Sequence, residues 1–82
     1  MHTAKLTLVS RLYCHLCTEM AVALETLAAE FGVAVEVVDV DADATLEALY
    51  DELVPVLLHE GRELCHYFLD TSKVRDYLSE IR

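Results

Sequence analysis

Residues 5–17 read Lys5-Leu6-Thr7-Leu8-Val9-Ser10-Arg11-Leu12-Tyr13-Cys14-His15-Leu16-Cys17, and a change of period inside this stretch decides the fold. Residues 5–9 alternate in the manner of a strand. From Leu16 onward the apolar side chains recur as Met20, Leu24, Leu27 and Phe31, at helical spacing. Gly32 then supplies a helix stop. Residues 33–40 form a β-branched run, apolar on both faces apart from Glu36 and Asp39, which predicts a strand covered by helices. The first forty residues therefore predict a strand-helix-strand unit with parallel strands, and two cysteines sit where its first strand turns into its helix.

Working outward, Asp43 is placed to cap a short helix along Leu46, Leu49, Tyr50 and Leu53, which must stop before Pro55 because proline disfavours α conformation in the residue ahead of it. Residues 56–59 and 63–67 flank Glu60-Gly61-Arg62, a short loop expected to close an antiparallel hairpin. Asp70-Thr71-Ser72 offers cap chemistry for a last helix with core positions Val74, Tyr77, Leu78 and Ile81. The order is βαβαββα: an α/β sandwich around a four-stranded mixed sheet, parallel in its first half and antiparallel in its second.

A chain of 82 residues can build one core, so a single domain over residues 1–82 is expected. Apolar types at 55% against 26% charged argue for a packed globule rather than a disordered tail. Fifteen acids against six Lys and Arg leave a formal charge of −9, which repels phosphate backbones and anionic membrane faces. Neither nucleic acid nor a membrane is an expected partner. The first seven residues lack the apolar stretch of a secretory signal, and no run of roughly 18 apolar residues occurs, so a cytoplasmic location is expected. Three cysteines are too few for a disulfide scaffold, which leaves free thiols, a metal site or redox chemistry.

The position of Cys14-His15-Leu16-Cys17 favours redox chemistry. A thiol at a helix N-terminus meets unpartnered backbone N–H groups and the positive end of the macrodipole, both of which favour thiolate, so Cys14 is the expected nucleophile. Cys17 lies about one turn on and on the inward face, as a resolving thiol should. His15, when protonated, and Arg11 would add positive charge beside Cys14; the competing readings are a solvated loop histidine and an arginine lying over the sheet edge.

In this context the chain resembles the glutaredoxin-like branch of the thioredoxin superfamily. The likeness rests on Leu12-Tyr13-Cys14-His15-Leu16-Cys17, on Val37-Val38-Asp39-Val40-Asp41 in the second strand, and on Val54-Pro55 opening the third. It spans essentially the whole chain and implies a thioredoxin-like fold. It also implies thiol-disulfide exchange in which Cys14 attacks, Cys17 resolves, and a cis Val54–Pro55 peptide leaves the Val54 backbone free to pair with an extended substrate. Tyr13 is expected at the rim of that substrate groove. The resemblance departs at two places: His15 and Leu16 stand where Pro and Tyr are usual, and the Gly-Gly turn that helps hold glutathione is absent from residues 67–72. Glutathione is thus a possible reductant rather than an expected ligand, and no tightly bound cofactor is expected. A disulfide-containing protein or a small thiol is the expected substrate, and a monomer the expected state.

Two other classes compete: a non-catalytic binding module that keeps the fold and holds a basic partner, and a metal carrier joining Cys14 and Cys17 to Cys65 or His66. Structural zinc needs four convergent ligands, and the expected topology sets the last strand on the far edge, so no metal is assigned. Asp39, Asp41 and Asp43 mimic a calcium loop but lack its glycine and closing glutamate. Cys65 is read as a buried thiol, Tyr50, Tyr67 and Tyr77 as core residues, and His2 and His59 carry no pattern.

Overall fold

The computed structural model describes residues 4–81; His2 lies outside them. The strands are β1 (Lys5–Ser10), β2 (Ala34–Asp39), β3 (Val56–His59) and β4 (Arg62–His66). The helices are α1 (His15–Phe31), α2 (Ala44–Tyr50) and α3 (Thr71–Ile81), with a 3-10 turn at Val40–Ala42 after β2. The four strands form one sheet in the order β2-β1-β3-β4. Pairing of β1 with β2 is parallel, Leu8 opposite Val37, whereas β3 runs antiparallel to β1 and to β4. The element order and the mixed sheet are those the sequence predicts.

Period-two alternation divides the core between the two faces of the sheet. Leu6, Leu8 and Leu57 point to one face, where Met20, Leu24 and Leu27 of α1 and Val74 and Leu78 of α3 close over them. Val9, Val56 and Leu58 point to the other with Val40, where Leu46, Tyr50 and Leu53 pack. Removing a buried leucine from the first cluster, as in Leu57→Ala, is expected to cost about 2–5 kcal/mol.

Three local features differ from expectation. β2 is an edge strand only partly covered on its two faces, Val35 packing against the first cluster and Val38 against the second while Val37 is exposed. A β-branched run has the same pattern in either setting, since periodicity does not report how many neighbours a strand has. α2 buries none of its residues fully, and Leu49 faces outward. In β4 the register slips, Leu57 opposite Cys65 but Leu58 opposite Glu63, so Leu64 is a bulged residue. Leu64 and its neighbour Cys65 consequently both pack against the first cluster, which strict alternation forbids. Among the described residues no helix is long and apolar enough to cross a membrane.

The hairpin loop is also shorter than the expected three residues. His59 pairs with Arg62, leaving Glu60 and Gly61 at the tip with φ of 52° and 81°. Two consecutive positive φ values define the hairpin turn that favours Asn-Gly. A glutamate there carries the Cβ clash of the left-handed region, so Glu60→Asn is expected to stabilise the protein by about 1 kcal/mol. The check is a higher urea midpoint with an unchanged slope; an unmoved midpoint would count against the turn assignment.

Candidate active site

The site is built on the connection from β1 to α1. Cys14 N–H donates to the Arg11 carbonyl at 3.3 Å, closing a turn with Leu12 and Tyr13 at its tip. Tyr13 has a φ of 62° and its side chain is fully exposed. A bulky residue in the left-handed region costs on the order of 1–3 kcal/mol and persists only where the surroundings hold it. Here the turn and the helix that follows impose that conformation.

Cys14 has extended backbone and caps α1: its Sγ accepts the Cys17 N–H at 3.2 Å, and its carbonyl accepts the Thr18 N–H at 3.1 Å and the Thr18 hydroxyl at 3.2 Å. Sulfur thus occupies the position usually held by a Ser, Thr or Asp oxygen, aimed at the helix's free donors. Cys14 is half-buried, whereas Cys17 is 4% exposed. The Cys17 thiol is pushed up to about 11, first by burial and then by its contact with Cys14; the Arg11 backbone and charge pull the other way without prevailing. All three cysteines are free thiols.

Arg11 is not a free cation beside Cys14. Its guanidinium grips Asp41 through both carboxylate oxygens, at 3.0 Å from Nε and 3.0 Å from Nη2, donates to the Asp51 carbonyl at 3.3 Å and pairs with the Asp51 carboxylate. The side chain therefore ties the β1–α1 turn to the residues after β2 and to the end of α2. Its hydrogen bonds to Asp41 and Asp51 raise its own pKa, and hold the Asp41 carboxyl below its ordinary value. Asp39 and Asp43 serve locally: Asp39 accepts the Asp41 N–H at 2.9 Å, and Asp43 caps α2 through the Thr45 and Leu46 N–H groups. His15 is 88% exposed and faces Glu19 at 3.3 Å, so its place is on the outer surface of the first helical turn.

The Val54–Pro55 peptide is cis, the isomer the resemblance implies. Pro55 is fully buried and Val54 half-buried against the second core cluster. Among the described residues no backbone hydrogen bond engages the Val54 N–H or carbonyl. Across from it, Tyr67 N–H donates to the Pro55 carbonyl at 2.9 Å and the Tyr67 hydroxyl to the Glu52 carbonyl at 2.7 Å. Tyr67, expected in the core, is in fact at the surface with a φ of 64°, and Phe68 beside it is 67% exposed. A groove of about 240 Å³ runs from Leu16, Met20 and Ala23 of α1 to Tyr67, Phe68 and Leu69.

The structure thus gathers the cysteine turn, the 51–55 segment and the 67–69 segment. Asp41, Asp51, Tyr67 and Phe68 were not legible as site residues. Asp41 and Asp51 meet Arg11 across 30 and 40 residues, beyond any local pattern. Tyr67-Phe68 carried a usable signal, because two adjacent aromatics at the end of an alternating strand cannot both face one core. Cys65 is half-buried on β4, its thiol raised mainly by burial. His66 faces Glu63 at 2.9 Å and stacks edge-on against Tyr67. Among the described residues no three His, Cys, Asp or Glu side chains come together as a group able to hold a metal.

A mixed sheet with α1 and α3 on one face, α2 on the other and a cysteine-capped α1 defines a thioredoxin-fold protein. The glutaredoxin-like domain family (DUF836) matches residues 5–79, and the chain belongs to that family. Its similarity extends to a protein from Nitrosomonas europaea, solved in solution, at 39% identity and a TM-score of 0.84 over 94% of this chain and 93% of that one. A crystallised protein from X. campestris is 41% identical with a TM-score of 0.68, over 92% and 96%. Thioredoxin 1 from Thermosipho africanus, at 21% identity and a TM-score of 0.64 over 94% and 97%, shares the fold. An uncharacterized protein of Mycobacterium tuberculosis is 30% identical over 80 residues, 92% of this chain and 82% of its own length.

The Arg11 pair gives a pH dependence. Asp41's folded pKa is depressed, so its contribution to stability is present above the unfolded value of about 3.9 and lost as pH falls through the folded one. Arg11→Met is expected to melt below the parent at pH 7, with the gap closing on acidification toward pH 2. A gap that stays constant over that range would remove the ion pair as its cause.

Proposed function

We propose that the protein is a thiol-disulfide oxidoreductase in which Cys14 attacks and Cys17 resolves. The observation that carries this reading is the Cys14 sulfur acting as the cap of α1, at 3.2 Å from the Cys17 N–H. That N–H and the helix dipole favour negative charge on this sulfur, and burial disfavours it on its neighbour.

Cys14 thiolate attacks one sulfur of a substrate disulfide. The Cys14–substrate bond forms as the substrate's own S–S bond breaks, and the leaving thiolate takes a proton from solvent. Before this step the Cys17 thiol is kept protonated by three influences: burial, the hydrogen bond with Cys14, and Cys14's charge. Once Cys14 is covalently occupied, the last two vanish and only burial remains. Cys17 then attacks Cys14, its proton passing to the departing second substrate thiolate, so that two electrons have passed to the substrate and the pair is left as a disulfide. A thiol reductant of low molecular weight, such as glutathione, or a protein dithiol returns it to the starting state.

The Val54 backbone, free of backbone hydrogen bonds among the described residues and next to buried Pro55, suits pairing with an extended substrate strand. Tyr13 and Leu12 stand at the mouth of the turn, where a substrate flanking the cysteine would touch them.

Two variants test the assignment. Cys17→Ser is expected to accumulate a mixed disulfide at Cys14 that the parent protein resolves, seen by mass spectrometry after quenching with acid. Cys14→Ser is expected to abolish exchange while leaving stability equal or higher by up to about 1 kcal/mol, because serine is the better cap at the same position. Cys14 should also alkylate ahead of Cys17 and Cys65 at neutral pH; equal rates at all three thiols would leave a binding module as the better account.

A further inference from the structure

The charges around the candidate site are uneven. Glu19, Asp41, Asp51 and Glu52 border the turn, the groove and the proline segment, and the cation among them is Arg11, which is already held by two of those carboxylates. None of the described Lys or Arg side chains lines the groove that starts at Leu16. Arg62 lies over the Tyr77 ring at 5.6 Å, at the start of β4 next to the hairpin turn, and Lys73 borders surface hollows shared with Glu63 and Asp70. Lys5 faces Glu36 at the start of β1, and Arg75 pairs with Glu30 between α1 and α3. Among the described residues the groove is therefore lined by the Glu19 carboxylate and by no Lys or Arg, His15 faces that same Glu19, and Lys73 lies in the adjoining hollow beyond Phe68 and Leu69.

The second observation is apolar exposure in the same place. Leu12 and Tyr13 project from the turn before Cys14, and Phe68 lines the groove opposite Leu16. The Val54 backbone, whose hydrogen-bonding groups are unused among the described residues, completes a surface with apolar contacts, a strand-pairing edge and negative potential.

We propose that this site selects an extended segment of an oxidised partner protein, one carrying Lys or Arg and apolar side chains next to its cysteine, and discriminates against anionic disulfides such as that of glutathione. This rests on the thiol-exchange reading above. The partner's cations meet Glu19 and the net negative charge left by Asp41 and Asp51 around Arg11, its apolar side chains cover Phe68 and Leu12, and its backbone pairs at Val54. Steering of this kind acts on the encounter rate and weakens with salt.

The test uses the full-length protein, reduced and freed of reductant, in single-turnover mixing with four disulfides. These are bis(2-hydroxyethyl) disulfide as a neutral probe, glutathione disulfide, and two peptide disulfides alike in length and apolar content but flanked by Lys or by Glu. The Lys peptide is expected to react at least tenfold faster than the Glu peptide at low ionic strength and faster than glutathione disulfide, with the advantage shrinking in 0.5 M salt. Phe68→Ser, at an exposed position, is expected to lower the ratio of Lys-peptide rate to neutral-probe rate. No reaction with any of the four overturns the thiol-exchange reading itself. Reaction with the neutral probe but equal rates for the Lys and Glu peptides, or preference for glutathione disulfide, overturns the substrate class and leaves that reading standing.

Discussion

The first turn of α1 is held by a sulfur. A helix begins with backbone N–H groups that have no partner inside it, and some group must accept from them. Cys14 does so, its Sγ facing the Cys17 N–H. The contact that starts the helix is also what places partial positive charge against the thiol, so the cap and the chemistry are one interaction. A Ser or Asp would satisfy the helix equally and would offer no exchangeable sulfur.

That cap needs a fixed approach, and the approach is costly locally. The chain leaves β1, turns through Tyr13 in the left-handed region and enters α1, so residues 11–14 have little freedom of their own to hold this shape. Arg11 anchors the turn from outside by reaching Asp41 after β2 and Asp51 at the end of α2. Tyr67, also in the left-handed region, fixes the opposite wall through Glu52 and Pro55. Backbone of this kind is concentrated where the three segments converge, whereas Glu60, the third such residue, lies in the hairpin turn.

The acidity of the chain acts differently at different distances. Close to Arg11 the carboxylates have a structural task, and their attraction to the guanidinium is local and geometric. Over the site as a whole, the same carboxylates cancel the cation and leave a negative surface. The arginine that the sequence offers as positive charge beside Cys14 is turned by its partners into a brace.

What the sequence settled by itself was periodic or local. The switch from period two to helical spacing between Val9 and Leu16 set the first strand and helix, Gly32 ended that helix, and Asp43 capped the next, because each rests on neighbours within a few residues. The two cysteines at that switch were legible for the same reason. Tertiary structure decided the rest: that β2 lies at an edge, that Leu64 bulges, that Arg11 is consumed by Asp41 and Asp51, and that Tyr67 and Phe68 face the groove rather than the core. Each of these depends on which distant segments meet, and on backbone angles that a residue's type disfavours and only its surroundings impose.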